Sequence, residues 1–154
     1  MEDLDMTQED KELLLKDICA RLPYSIKASY YGEEEECETC DEIECITLDG
    51  YVDIGQYSLS IERIKPYLFP LSSMNDEQAK EMQEIIGNPD DACIIQKIDG
   101  LELWLNYIDT DPTIWLNTIF EVQDYLNKNH FDYRGLIEKG LAIEITEKNN
   151  PYKE

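Results

Sequence analysis

Positive charge is scarce in this 154-residue chain: 13 Lys and Arg stand against 35 Asp and Glu, a formal net of -22 at pH 7. From Ala28 to Glu62 there is no Lys or Arg, while eleven Asp and Glu fall in that stretch. A field of that sign repels phosphates and anionic lipid and draws cations or basic protein surfaces, so direct nucleic-acid binding is not expected. Long apolar runs are missing too. None approaches the ~18 uninterrupted apolar residues of a membrane span, and MEDLDMTQED has neither the basic nor the apolar segment of a secretory signal. The expectation is a cytoplasmic protein with no membrane partner. Histidine occurs once and glycine seven times. There is no G-x-G-x-x-G, P-loop, G-x-S-x-G or H-E-x-x-H, so no catalytic residue is assigned and no cofactor is expected.

What the chain does have is the material of one domain, residues 1–154, with ends expected to fray at about 1–6 and 147–154. Thr7 and Asp10 resemble a capping box, and Leu15, Ile18, Cys19 and Leu22 recur at helical spacing until Pro23, predicting a helix over 8–21. In YSIKASY, Tyr24, Ile26, Ala28 and Tyr30 alternate with polar residues, the period of a half-buried strand. Asp49-Gly50 joins EIECITL to YVDIGQY, and Asp99-Gly100 joins CIIQKI to LELWLNYI. Both predict hairpins with positive φ at the two turn residues. Pro66 and Pro70 in IKPYLFPLSSM predict an ordered, extended loop over the core rather than a central strand.

Asn75 should cap a helix to about Ile86, with Ala79, Met82 and Ile86 inward and Gly87 and Pro89 as stops. Asp111-Pro112 marks another helix start, with Trp115, Ile119, Val122 and Leu126 as its apolar stripe. Asp132 is placed to cap a short helix from Tyr133 to Lys139 that ends at Gly140, and LAIEI should form a closing strand. The fold class expected is α+β, a mainly antiparallel sheet built from hairpins with helices packed on one side.

Five cysteines in a reducing compartment predict free thiols. Cys37, Cys40 and Cys45 form C-x2-C-x4-C inside EEEECETCDEIEC, one metal knuckle plus one thiol. A tetrahedral zinc would need a fourth donor, Cys93, Cys19, His130 or a carboxylate, brought in by the fold. Acidic neighbours attract a dication yet raise thiol pKa values, and Ile46 and Leu48 place the core on the face opposite Cys45. The reading taken is a hydrated hairpin loop with free thiols and no metal. Likewise His130, Asp132 and Arg134 could serve as base, orienting acid and anion holder. The structural alternative gives Asp132 a cap, Phe131 a core position and Arg134 a carboxylate partner.

IKPYLFPLSSM with the helix after it, and LNKNHFDYRGLIEKGLAIE at 126–144, resemble segments of small uncharacterised proteins found in gut Bacteroides-type bacteria and in their phages and other mobile elements. That resemblance implies an accessory protein of a phage or mobile element and contributes no catalytic residue. From the residues themselves comes an interaction surface. Glu33, Glu34, Glu35, Glu36, Glu38, Asp41, Glu42 and Glu44 form the acidic face, bordered by Tyr30, Tyr31, Tyr51 and Tyr57, whose amphipathic rings suit interfaces. The partner expected is a protein with a basic surface. Nucleic-acid mimicry, with carboxylates in place of phosphates, is a narrower form of the same idea.

Overall fold

The computed structural model describes residues 6–30, 39–87, 92–97, 100–105 and 112–153, with side chains between 92 and 117 outside the description. The fold is α+β with a mostly antiparallel sheet. Two compact units make up the chain, Met1–Phe69 with Arg134–Glu154, and Pro70–Tyr133. Each is described by itself.

The first unit opens with α1, Gln8–Arg21, where the Thr7 hydroxyl accepts from the Asp10 N–H at 3.1 Å. The helix has the expected bounds but a different inward face. Leu14 and Ile18 are buried with Asp17 and Arg21, whereas Cys19 is exposed and Leu15 half-buried. An ion pair four residues apart therefore occupies what apolar spacing alone cannot reveal. Arg21 donates to both Asp17 oxygens, at 2.8 and 3.1 Å, and Arg134 Nε lies 3.2 Å from Asp17 Oδ1.

After a short 3-10 turn and a left-handed Ser25 (φ 57) come β1 (Lys27–Tyr30), β2 (Thr39–Ile46), β3 (Tyr51–Ile54), β4 (Tyr57–Ser60) and β5 (Ile64–Pro70). They lie in the order β4-β3-β2-β1-β5, and β9 (Ile143–Glu144) runs parallel to β5. Ile26, Ala28, Tyr30, Ile43, Val52, Ile54, Leu59, Ile64 and Leu68 face the core, which Leu14 and Ile18 of α1 and Leu136 complete. Each Val, Leu or Ile side chain among them contributes roughly 1.5–3 kcal/mol on burial.

IKPYLFP is thus a strand inside the sheet, and the loop expected there is corrected. Ile26 C=O accepts from Ile43 N–H on the β2 side, so by strand alternation Ala28 also directs its backbone groups toward β2. Pro66, opposite Ala28, sits where no N–H is needed by β1. YVDIGQY is likewise two strands, not one. Gly55, at φ 58, begins a two-residue turn that pairs Ile54 with Tyr57.

The Asp49-Gly50 hairpin forms, but with a longer loop. Thr47 N–H donates to Tyr51 C=O at 2.8 Å and Gly50 N–H to Thr47 C=O at 3.0 Å. Of the loop residues only Gly50 is left-handed, at φ 85. One glycine after an ordinary turn suffices for a three-residue loop, so Asp49 is spared the strain of positive φ.

The short helix expected over Tyr133–Lys139 is a single turn. Gly135 at φ 76 prevents an earlier start, and Leu141 N–H reaches Leu136 C=O at 2.9 Å over a left-handed Gly140. The tail, expected to fray, is held. Thr146 N–H donates to Asn149 Oδ1 at 2.6 Å, and Tyr152 OH accepts Lys27 N–H at 2.9 Å and lies 3.1 Å from Tyr67 C=O.

In the second unit α2, Asp76–Ile86, carries the full capping box of Asn75 and Gln78, with Met82 buried and Ala79 and Ile86 partly so. β6 (Ala92–Lys97) and β7 (Gly100–Leu105) pair antiparallel with Lys97 opposite Gly100, a hairpin whose two connecting residues lie outside the description. α3 spans Pro112–Lys128 with Val122 and Leu126 buried, but Ile119 is exposed. Trp115 lies outside the described side chains. His130, at φ 62, ends α3 in the left-handed conformation and leads into β8, Phe131–Asp132. Asp132 is a buried strand residue, which replaces the helix-capping role expected of it.

Candidate functional site

Opposed residues in a sheet share a face, so the pairings sort the candidate residues directly. Cys40 opposes Ser29, Glu42 opposes Lys27, and Cys45 opposes Asp53, all on the face away from the core. A register shift between Ile43 and Cys45 leaves Glu44 at an irregularity, with its side chain in solvent. Glu42, Glu44 and Cys45 are exposed and Asp53 half-buried, so β2 and β3 together present a polar, acidic outer face. Asp41 has the opposite parity. It is exposed, yet its Oδ2 accepts from the Tyr30 hydroxyl at 2.7 Å.

The tyrosines divide. Tyr51 is 48 % exposed at the start of β3, whereas Tyr30 is 3 % exposed and belongs to the core. Tyr57 is half-buried with its ring 5.9 Å from that of Tyr30. Tyr30 is therefore corrected from border to core residue, because strand alternation sets it beside Ile64 on the inner face. Glu33, Glu34, Glu35, Glu36, Glu38, Tyr31 and Cys37 lie outside the described residues.

Among the described residues no cluster of three or more His, Cys, Asp or Glu could hold a metal ion. Cys40 and Cys45 are separated by the length of β2 between them, roughly 15 Å at strand rise, whereas a zinc-bound thiolate lies about 2.3 Å from its metal. They cannot share one ion. Instead the Cys45 thiol donates to Asp53 Oδ2 at 3.0 Å. That hydrogen bond, reinforced by the negative charge of Asp53, raises the thiol pKa, and it lowers that of Asp53 in turn. Cys19, Cys40 and Cys45 are exposed thiols outside any disulfide.

Arg134 is engaged with Asp17, and His130 and Asp132 are both buried. Beside the C-terminal tail, Lys27, Cys40, Asp41, Glu42, Tyr67, Asn149 and Pro151 line an open cleft of about 580 Å³. Lys27 Nζ donates to Pro151 C=O at 2.9 Å across it. Sequence reasoning missed this tail contact, since nothing local to Tyr152 or Pro151 signals a partner more than a hundred residues away. Alternation in YVDI is the signal for Asp53, which stands apart from the denser acids upstream in the sequence.

Leu48 is the other departure. Alternation with Ile46 predicts that it faces the core, but it is fully exposed at the β2–β3 apex, because the strand ends at Ile46 and alternation stops there. No family model, curated protein or solved structure matches the chain. Among the described residues no helix is long and apolar enough to cross a membrane.

Proposed function

We propose that the protein is a non-catalytic accessory protein of a phage or mobile element, and that it binds a basic protein surface through the outer face of β2 and β3. The observation that supports this most is the display of Glu42 and Glu44 in solvent from one strand, with Asp53 beside them and Tyr51 half exposed at the edge. Charges held on a sheet keep fixed spacing, so complementary Lys or Arg groups gain attraction without ordering the acidic side at the moment of binding. Association by this route is fast and salt-sensitive.

The test is a pull-down from bacterial lysate at low and high salt, with the natural chain and a Glu42→Gln, Glu44→Gln variant. Basic proteins should be retained at low salt, released at high salt, and retained less by the variant. Capture that is indifferent to both salt and substitution rejects the proposal.

A further inference from the structure

Four large apolar side chains stand exposed among the described residues, and two of them, Leu48 and Tyr51, belong to the loop and first strand residue of a single hairpin. Nothing in that turn requires leucine. Thr47 supplies the hydroxyl that accepts Tyr51 N–H at 3.1 Å, and Gly50 supplies the left-handed residue. Position 48 needs only ordinary backbone angles, which any polar residue would satisfy. Leu48 packs against no core, and its neighbours Glu44, Asp49 and Tyr51 are exposed as well.

Resting on the function proposed above, we infer that the β2–β3 apex is the apolar anchor of the docking surface: Leu48, with Tyr51, enters a pocket on the partner, and Lys or Arg side chains rimming that pocket meet Glu44 and Asp49. The carboxylates select the kind of occupant. A second copy of this chain would bring like charges together, in a molecule already at -22, whereas a cationic rim is attracted to Asp49 in the loop and to Glu44 on the strand that leads to it. Truncation costs most at interfaces where a side chain fills a central, desolvated pocket that the surrounding contacts keep free of water, which is the place proposed for Leu48.

Two labelled helical peptides of equal positive charge serve as probes, one built of Lys and Leu, the other of Lys and Gln. Their binding to the full chain is read by fluorescence anisotropy at about 50 mM and about 300 mM salt. The natural chain should bind the Lys-Leu peptide about tenfold more tightly, the factor expected from burying part of one leucine. Leu48→Ser should abolish that preference while leaving Lys-Gln binding and the urea midpoint unchanged. No preference in the natural chain, or one that survives Leu48→Ser, overturns the inference. Sedimentation showing a dimer that Leu48→Ser dissolves also overturns it, in favour of self-association. If Glu42→Gln, Glu44→Gln binds both peptides as well as the natural chain does, the charge-based function itself fails, whatever Leu48 does.

Discussion

Gly55 meets two demands at once. Its φ of 58 suits glycine, and a Cβ there would lie 2.5 Å from the Tyr30 hydroxyl and 2.9 Å from Asp41 Oδ2. Gly55→Ala should therefore destabilise the chain by on the order of 3 kcal/mol, combining left-handed strain with overpacking, as a drop in the urea midpoint. The same close approach makes Tyr30 a core residue whose hydroxyl is satisfied by Asp41 at the rim. Cys45 offers a chemical reading of its own environment. Because Asp53 holds the thiol protonated, iodoacetamide should modify Cys45 more slowly than an ordinary exposed thiol at mildly alkaline pH. Asp53→Ala should speed that reaction and leave Cys19 unaffected, with peptide mapping to separate the sites.

Among the elements, the junction of β1, β5 and the tail has the most distinctive construction. The β1–β5 pairing runs from Tyr30–Ile64 to Ala28–Pro66. One step further, at Lys27 and Tyr67, the Tyr152 hydroxyl takes up backbone groups of both strands. Tyr152→Phe leaves those groups without that partner and should cost about 1–3 kcal/mol. Burial, the largest cause, pushes the Tyr152 hydroxyl well above the ordinary tyrosine range, and the Tyr125 hydroxyl rises for the same reason, helped by Glu81 at 2.7 Å. A folded pKa above the unfolded one means stability that is complete below about pH 10 and is lost as pH rises toward the folded values. The urea midpoint should accordingly fall with alkali in that window, and fall less in Tyr152→Phe.

At the scale of the whole molecule the excess of carboxylates opposes compaction, since the folded chain holds like charges closer than the unfolded one. Raising sodium chloride from about 20 mM to about 0.5 M shortens the screening length several-fold. It should raise the urea midpoint, opposite in direction to its effect on binding a basic partner. A chain in which salt lowered the midpoint would have its surface charges arranged mainly in favourable pairs. Among the described residues, specific ion pairs tie parts of the first unit together. Lys11 meets Glu62, and the buried Asp17–Arg21 pair is joined by the partly buried Arg134.

Local chemistry determined much on its own: the bounds of α1, the capping box of Asn75, the stop at Gly87, and the hairpin at Asp49-Gly50 follow from nearest neighbours along the chain. Their energies depend on residues three or four positions apart, so position in sequence is enough to read them. The strand made from IKPYLFP, the docked Tyr152 and the exposure of Leu48 were decided by tertiary structure. A proline is compatible with a strand only when the facing residue turns its backbone away, and a side chain is core or surface according to what lies across from it. Neither condition is a property of the residue or of its neighbours in sequence.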